Sequence, residues 1–210
     1  MTGRYEVNSS EGEYEPGSDG LVLANRLGIT SPEDMDELEL QLLEALYQAV
    51  LIDHFPDRTL TVEDLKSWHR RWMGNVYGWA GEERSVNMSK GDFPFAAAAQ
   101  IPKLLSGFET SVLARNTPCH DVSEDQLAEA IAETHVEFIL IHPFREGNGR
   151  LSRLLADVMA VQAGYGTLDY SYWDQSKLEY FQAIQVGMGC DYTPMTRFVR
   201  LALASGDSSI

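Results

Sequence analysis

The sequence predicts an all-α domain interrupted by one short β-hairpin. Leu, Ala, Glu, Gln and Met recur while β-branched runs are scarce, a balance that favours helix. Apolar residues return at three- and four-residue spacing in segments that open on capping residues. One stretch, 79–95, loses that period and alternates instead.

Residues 1–20 are polar and rich in Gly, Ser and Glu, and read as a flexible N-terminal arm, loose or wrapped over the rest. Residues 21–205 read as one domain, with 206–210 a loose C-terminus, because no repeat or interior linker divides them. Ser31-Pro32-Glu33-Asp34 starts a helix over about 32–53: a capping hydroxyl, proline in the first turn, then acids at the positive end. Leu38, Leu42, Leu43, Leu46 and Val50 give it an apolar stripe. Thr61-Val62-Glu63-Asp64 opens a second helix carrying Leu65, Trp68, Trp72, Met73 and Val76, ending near Gly78. Val86 and Met88 then alternate with polar residues and Lys90-Gly91-Asp92 makes a turn, the pattern of a small hairpin flap.

Helix returns over about 97–114. Ser123-Glu124-Asp125-Gln126 is a capping box that starts a helix of about 124–140, with Leu127, Ile131, His135 and Phe138 on one stripe and Pro143 as its stop. Leu151, Leu154, Leu155, Val158 and Met159 form the buried face of the next helix, ending at Gly164. Ser176-Lys177-Leu178-Glu179 reads as another capping box, opening a helix to about 187, and Thr193-Pro194 opens the last.

With 16 basic and 32 acidic residues the chain carries a net charge of −16, which argues against nonspecific binding to nucleic acid or to an anionic membrane. Two cysteines, Cys119 and Cys190, cannot form a disulfide framework, and no CxxC pattern suggests a metal. Reduced thiols and the lack of a signal-peptide pattern set the expectation of a cytoplasmic protein, with export into another cell left open.

The chemistry concentrates in His142-Pro143-Phe144-Arg145-Glu146-Gly147-Asn148-Gly149-Arg150-Leu151-Ser152-Arg153. Gly147-Asn148-Gly149 lies between a helix stop and a helix start, where glycine backbone and converging N–H groups can cradle an anion. Arg150 and Arg153 share one face of the first turn, where cations oppose the helix dipole unless a polyanion compensates them. Glu146 is the acid inside the loop and suits Mg²⁺, which is commonly held by one or two carboxylates plus phosphate oxygens. His142 is placed to accept a proton from an incoming hydroxyl. His135, on the apolar stripe, reads as a core histidine, and without HExxH zinc spacing a zinc site is not expected.

This string resembles the signature of the Fic family, HxFx[D/E]GNGRxxR, with every defining position filled. Trp68-His69-Arg70, Val76 through Arg84, Lys90 through Phe93, and Asp191 through Met195 are similar to flanking elements of Fic domains, so the resemblance spans about 20–203. It implies a Fic-domain helical bundle with a β-hairpin flap, and transfer of AMP from ATP to a Tyr, Thr or Ser hydroxyl of a target protein. By the same resemblance His142 is the base and Glu146 holds Mg²⁺. Gly147, Asn148 and Gly149 line the cradle, Arg150 and Arg153 meet the β/γ end, and Ser89, Lys90 and Gly91 lie on the flap that pairs with the target. Tyr180 falls near the adenine, and Met188 stands where some relatives carry a polar residue.

Family members are usually restrained by a helix bearing [S/T]xxxE[G/N]. Thr2…Glu6-Val7, Ser9…Glu13-Tyr14 and Thr59…Glu63-Asp64 each fail at the last position. The preferred reading is a small antitoxin acting in trans against the N-terminal helices, with a degenerate cis element or no inhibitor as the alternatives. A chain free of its inhibitor is then expected to be toxic to the cell that makes it. Transfer of phosphate, UMP or phosphocholine is the competing enzymatic reading, and an interaction module with a relic nucleotide site the non-enzymatic one.

Overall fold

The computed structural model describes residues 6–7 and 13–205. The remainder of the expected arm, and the 206–210 tail, lie outside the described residues. The helices are α1 (Pro32–Tyr47), α2 (Val62–Met73), α3 (Ile101–Gly107), α4 (Ala114–Asn116), α5 (Glu124–Ile141), α6 (Asn148–Gln162), α7 (Ser171–Gln175), α8 (Lys177–Val186) and α9 (Thr193–Ser205). Wider helical turns continue α1 through Gln48–Asp53 and bridge α3 to α4 through Phe108–Leu113.

Three of the starts read from the sequence are built as expected. The Ser31 side chain accepts the Asp34 N–H, and Thr61 with Asp64 and Ser123 with Gln126 both close reciprocal capping boxes. The second helix stops earlier than expected, at Met73, and the one expected at Ser176 differs more. Ser176 makes no side-chain cap, because a separate short helix, α7, runs directly into α8 and leaves it at the junction.

α5 is the axis of the core. Leu127, Ala128, Ile131, Ala132, Val136 and Phe138 are fully buried against α6 and α9. From α6, Leu151, Leu154, Val158 and Met159 meet them without residual exposure. The segment joining α5 to α6 is therefore held between two helices that cannot shift without opening the core.

The flap is a three-stranded antiparallel sheet in the order β1 (Glu6–Val7), β2 (Met88–Lys90), β3 (Phe93–Pro94). In the hairpin Ser89 faces Pro94 and Lys90 faces Phe93, while Glu6 and Val7 of β1 face Ser89 and Met88. Gly91 makes the tight turn with φ +57°. Residues 13–25 form a closed turn. Glu15 N–H donates to Val22 O at 2.8 Å, Ala24 N–H to Glu13 O at 3.0 Å, and Arg26 N–H ties the turn to Val76 O at 2.8 Å. A boundary at residue 20 thus runs through a hydrogen-bonded unit whose Val22 is fully buried.

Gly187, at the end of α8, approaches α5 so closely that an added Cβ would overlap Val136. Gly187→Ala should destabilise the protein by about 1–3 kcal/mol through overpacking, read as a lower urea midpoint at constant slope. An unchanged midpoint would show that α8 is free to move off α5.

Candidate active site

α5 ends at His142, whose backbone adopts φ +49°, ψ +60° and turns the chain out of the helix. A left-handed non-glycine residue costs energy and persists where its surroundings hold it. Arg84 supplies that hold. Its buried guanidinium donates to His142 O at 2.6 Å, Ala96 O at 2.6 Å, Ile141 O at 3.4 Å and Val86 O. One cation thus satisfies carbonyls at the negative end of α5 and ties them to both sides of the flap. Arg84 N–H also donates to Pro143 O at 2.8 Å. Burial lowers its pKa to about 10, which leaves it charged at neutral pH.

Two further clasps shape the loop. His69 of α2 accepts the Gly81 N–H at Nδ1 (2.8 Å) and so donates from Nε2 to Glu146 O (3.1 Å), with its ring stacked on Phe144 at 4.0 Å. Asn148 is fully buried, and its side chain accepts from Phe144 N–H at 2.9 Å and donates to Phe144 O at 2.8 Å. The Asn148 side-chain amide is thus engaged in closing the loop, and Asn148 is not among the residues that line the cavity at the start of α6. Gly147 has φ +81°, and a Cβ there would lie 2.7 Å from the Trp72 ring. Gly149 has nothing within 4 Å of a Cβ, so that position opens into space.

That space is a cavity of about 350 Å³ at the start of α6, lined by His142, Glu146, Gly147, Gly149, Arg150 and Arg153 together with Lys90 and Tyr180. Most of the expected residues are thus brought together. Gly91 is not among them; it sits at the hairpin turn, one residue beyond the lining Lys90. Sequence reasoning missed Phe95, Ile139, Trp173, Asp174, Lys177 and Phe181, which complete the wall. An aromatic cluster in 170–181 was the available signal.

The cations are partnered. Arg150 donates to Glu39 of α1 at 2.7 Å, and Glu39 is buried and also accepts from the Tyr77 hydroxyl at 2.7 Å. Arg153 makes a two-point pair with Asp174, at 2.7 and 3.2 Å, and lies over the Tyr170 ring. Asp174 itself lines the cavity, so an entering phosphate and Asp174 would compete for one guanidinium. Lys90 Nζ sits 3.6 Å from the Phe181 ring centroid, its pKa lowered by burial and by Lys177. Glu146 Oε1 accepts the Gly147 N–H at 2.9 Å. Among the described residues no three acidic, His or Cys side chains cluster as a metal site. A single carboxylate fits Mg²⁺ that arrives on phosphate oxygens and keeps water in its shell.

His142 is buried and stacks on Phe95 at 3.8 Å. Its Nδ1 lies 3.3 Å from Ile139 O; a carbonyl only accepts, so Nδ1 carries the proton and Nε2 the lone pair. Burial, then the Arg84 charge, lowers its pKa to about 3, so the ring is neutral at physiological pH. His69 is lowered to about 4 and His135 to about 3, both chiefly by burial. His135 bonds the Tyr180 hydroxyl at 2.7 Å, a core histidine as expected.

Residues 59–160 match the model of the Fic/DOC family, a span running from α2 through the flap and the loop into α6. The chain is 28% identical over 182 residues to the probable protein adenylyltransferase y4lH of Sinorhizobium fredii, covering 85% of this chain and 90% of that protein. It is 26% identical over 203 residues to the probable protein adenylyltransferase Fic of Escherichia coli, covering 92% of each. Against the longer protein adenylyltransferase VbhT of Bartonella schoenbuchensis it is 29% identical over 161 residues, 74% of this chain and 32% of that one. The fold is similar to that of the BepC protein of Bartonella tribocorum, solved with bound AMPPNP, at a TM-score of 0.67 and 24% identity, covering 86% of this chain and 91% of that one. The chain belongs to the Fic/DOC family.

The two loop glycines should separate folding from binding. Gly147→Ala should fail to fold or lose several kcal/mol, since a left-handed backbone and the Trp72 ring both exclude a side chain. Gly149→Ala should fold at least as well as the parent, yet bind Mg·ATP at least about tenfold more weakly by calorimetry, its methyl projecting where the anion must sit. Equal nucleotide affinity in Gly149→Ala would contradict the cradle.

The buried imidazoles also set an acid dependence. Each has a folded pKa below its unfolded value, so the unfolded chain binds more protons and stability falls as pH drops below about 6.5. Asp157, raised to about 6 by burial, acts oppositely, its contribution being lost as pH rises through that value. Between pH 7 and pH 5 each imidazole should cost about 2 kcal/mol, with Asp157 offsetting part. Urea melts at the two pH values should show a clear net loss at pH 5; equal stabilities would mean the imidazoles are not held neutral.

Proposed function

We propose that this chain is a protein adenylyltransferase that moves AMP from ATP to a Tyr, Thr or Ser hydroxyl of a target protein. The observation that carries this reading is one cavity at the start of α6 that gathers a neutral imidazole, a single carboxylate, the Gly149 position open to space and two guanidinium groups. Its relatives are named protein adenylyltransferases, and two of them align over nearly their whole length.

The chemistry follows from those groups. Phosphoryl and nucleotidyl transfer need positioning and charge stabilisation more than covalent help. His142 Nε2 takes the proton as the target oxygen bonds to the α-phosphorus and the bond to the pyrophosphate oxygen breaks. Burial keeps that nitrogen unprotonated in the resting protein, so no prior deprotonation is needed. The N–H groups at the start of α6, with Arg150 and Arg153, hold the leaving pyrophosphate. When bound through Glu146 and phosphate oxygens, Mg²⁺ supplies further neutralisation of that charge. Lys90 ties the flap to the cavity, and Trp173, Tyr180 and Phe181 offer ring faces for the base.

The target is taken as an extended segment on the flap. An inhibitor in trans has a place to dock: an apolar groove of Leu40, Leu43, Leu51, Ile52 and Tyr170 on and beside α1 runs up to Arg150 and Arg153. A helix laid there with a carboxylate at its edge would reach both arginines and restrain a toxin in its own cell. Among the described residues no helix is long and apolar enough to cross a membrane. A cytoplasmic site of action fits Cys119 and Cys190, which are unbridged.

The purified protein, Mg²⁺ and ATP labelled at the α-phosphate should mark proteins in a cell lysate, and ATP labelled at the γ-phosphate should not. His142→Ala should reduce transfer by about 10²-fold or more while leaving nucleotide binding in place. Label from the γ-position would replace AMP transfer with phosphorylation, and undiminished transfer by the variant would remove His142 as the base.

A further inference from the structure

The flap carries a strand that the reading above does not use. β1 pairs along the edge of β2 opposite β3, with Glu6 facing Ser89 and Val7 facing Met88. β2 is the strand that reaches the cavity, through Lys90. Its other edge belongs to β3, so the β1 side is where an added strand would lie nearest the chemistry. The outer edge of β3 is a poorer site, because Pro94 has no N–H to donate. An addition outside β1 would stand one strand spacing, about 4.8 Å, farther from the cavity.

We propose that the N-terminal arm holds the place of the target: residues 6–7 occupy the β2 edge, and a target segment must displace them before its hydroxyl can approach His142. This rests on the transfer reading and adds its regulation. The arm suits a displaceable occupant. Among the described residues two of this strand pair, a contact far too short to be stable alone. In the sequence five residues, 8–12, separate it from the closed turn at 13–25, where Tyr14 bridges Leu23 and Arg26 is tied to Val76. Such tethering gives a weak strand an effective concentration in the millimolar range. Glu13 lies at the foot of the same hairpin, lining a cavity of about 470 Å³ with Ser85, Val86 and Arg145. The arm therefore follows the flap at two separate points.

The test uses the full chain carrying Glu6→Pro and Val7→Pro together, which removes the one N–H of the pair that points at β2, that of Glu6 opposite Ser89, and leaves the domain intact. A synthetic peptide of residues 1–12 serves as the probe. Amide exchange at Ser89, whose N–H lies on the β1 edge, should quicken in the variant. Transfer of α-label to lysate proteins at low lysate concentration should rise about tenfold, and the peptide should reverse the rise. Calorimetric affinity for Mg·ATP should not change. Faster exchange with an unchanged transfer rate would overturn the proposal, as would unchanged exchange. If neither chain transfers label in a manner sensitive to His142→Ala, the transferase reading has failed, and fluorescence anisotropy still judges the edge. Peptide binding to the variant but not to the parent upholds arm occupancy there, and no binding to either refutes it.

Discussion

The site depends on one buried cation. Arg84 collects the carbonyls of His142, Ile141, Val86 and Ala96, and so decides where α5 ends and how the flap meets it. Carbonyls at a helix C-terminus carry partial negative charge, and several of them converging could not be buried without a donor of matching charge. With Arg84 in place, His142 is held left-handed and its ring is pressed onto Phe95. The same contacts bring the flap beside the loop, so that Lys90 and His142 line one cavity.

Electrostatics divide sharply between the surface and this cavity. The chain carries a charge of −16, yet Lys90, Arg150, Arg153 and Lys177 converge on a space of a few hundred cubic ångströms. Glu146 lies 3.8 Å from Arg150, but the closest carboxylates to the arginines are Glu39 and Asp174, and these two differ in kind. Glu39 is buried, fixed by the Tyr77 hydroxyl, and orients Arg150 across the Trp72 ring. Asp174 is half exposed on a five-residue helix and can yield Arg153 to a stronger anion. Beneath Arg153, the Tyr47 and Tyr170 hydroxyls close on Asp157, and Tyr170 also reaches Arg153 O, so the backbone of the second arginine is fixed while its side chain can exchange partners.

The parts legible in the sequence were those written locally. Helical period, the helix start at Thr61, the capping box at Ser123 and the Gly147–Gly149 turn depend on neighbours within four residues, and the structure builds them. The loop residues reach one cavity because consecutive positions at a helix start share a face. What the sequence hid is long-range. Arg84, His69 and Glu39 act on residues tens of positions away, and nothing near them marks a buried role. The role of the Asn148 side chain was equally hidden: its partner is the backbone four residues back. Ser176 looked like a cap because the sequence pattern does not reveal that α7 already leads into α8.

The central claim is that this clasped turn is built in advance as a socket for the triphosphate. Residue-resolved hydrogen exchange with and without Mg·AMPPNP tests it most directly. The account predicts that the amides of His142 and Phe144 are already protected in the free protein. Those of Gly147, Gly149 and Arg150 should slow markedly once nucleotide is added. Exchange across 142–150 that is fast without nucleotide, or unchanged by millimolar nucleotide with the metal present, would contradict it.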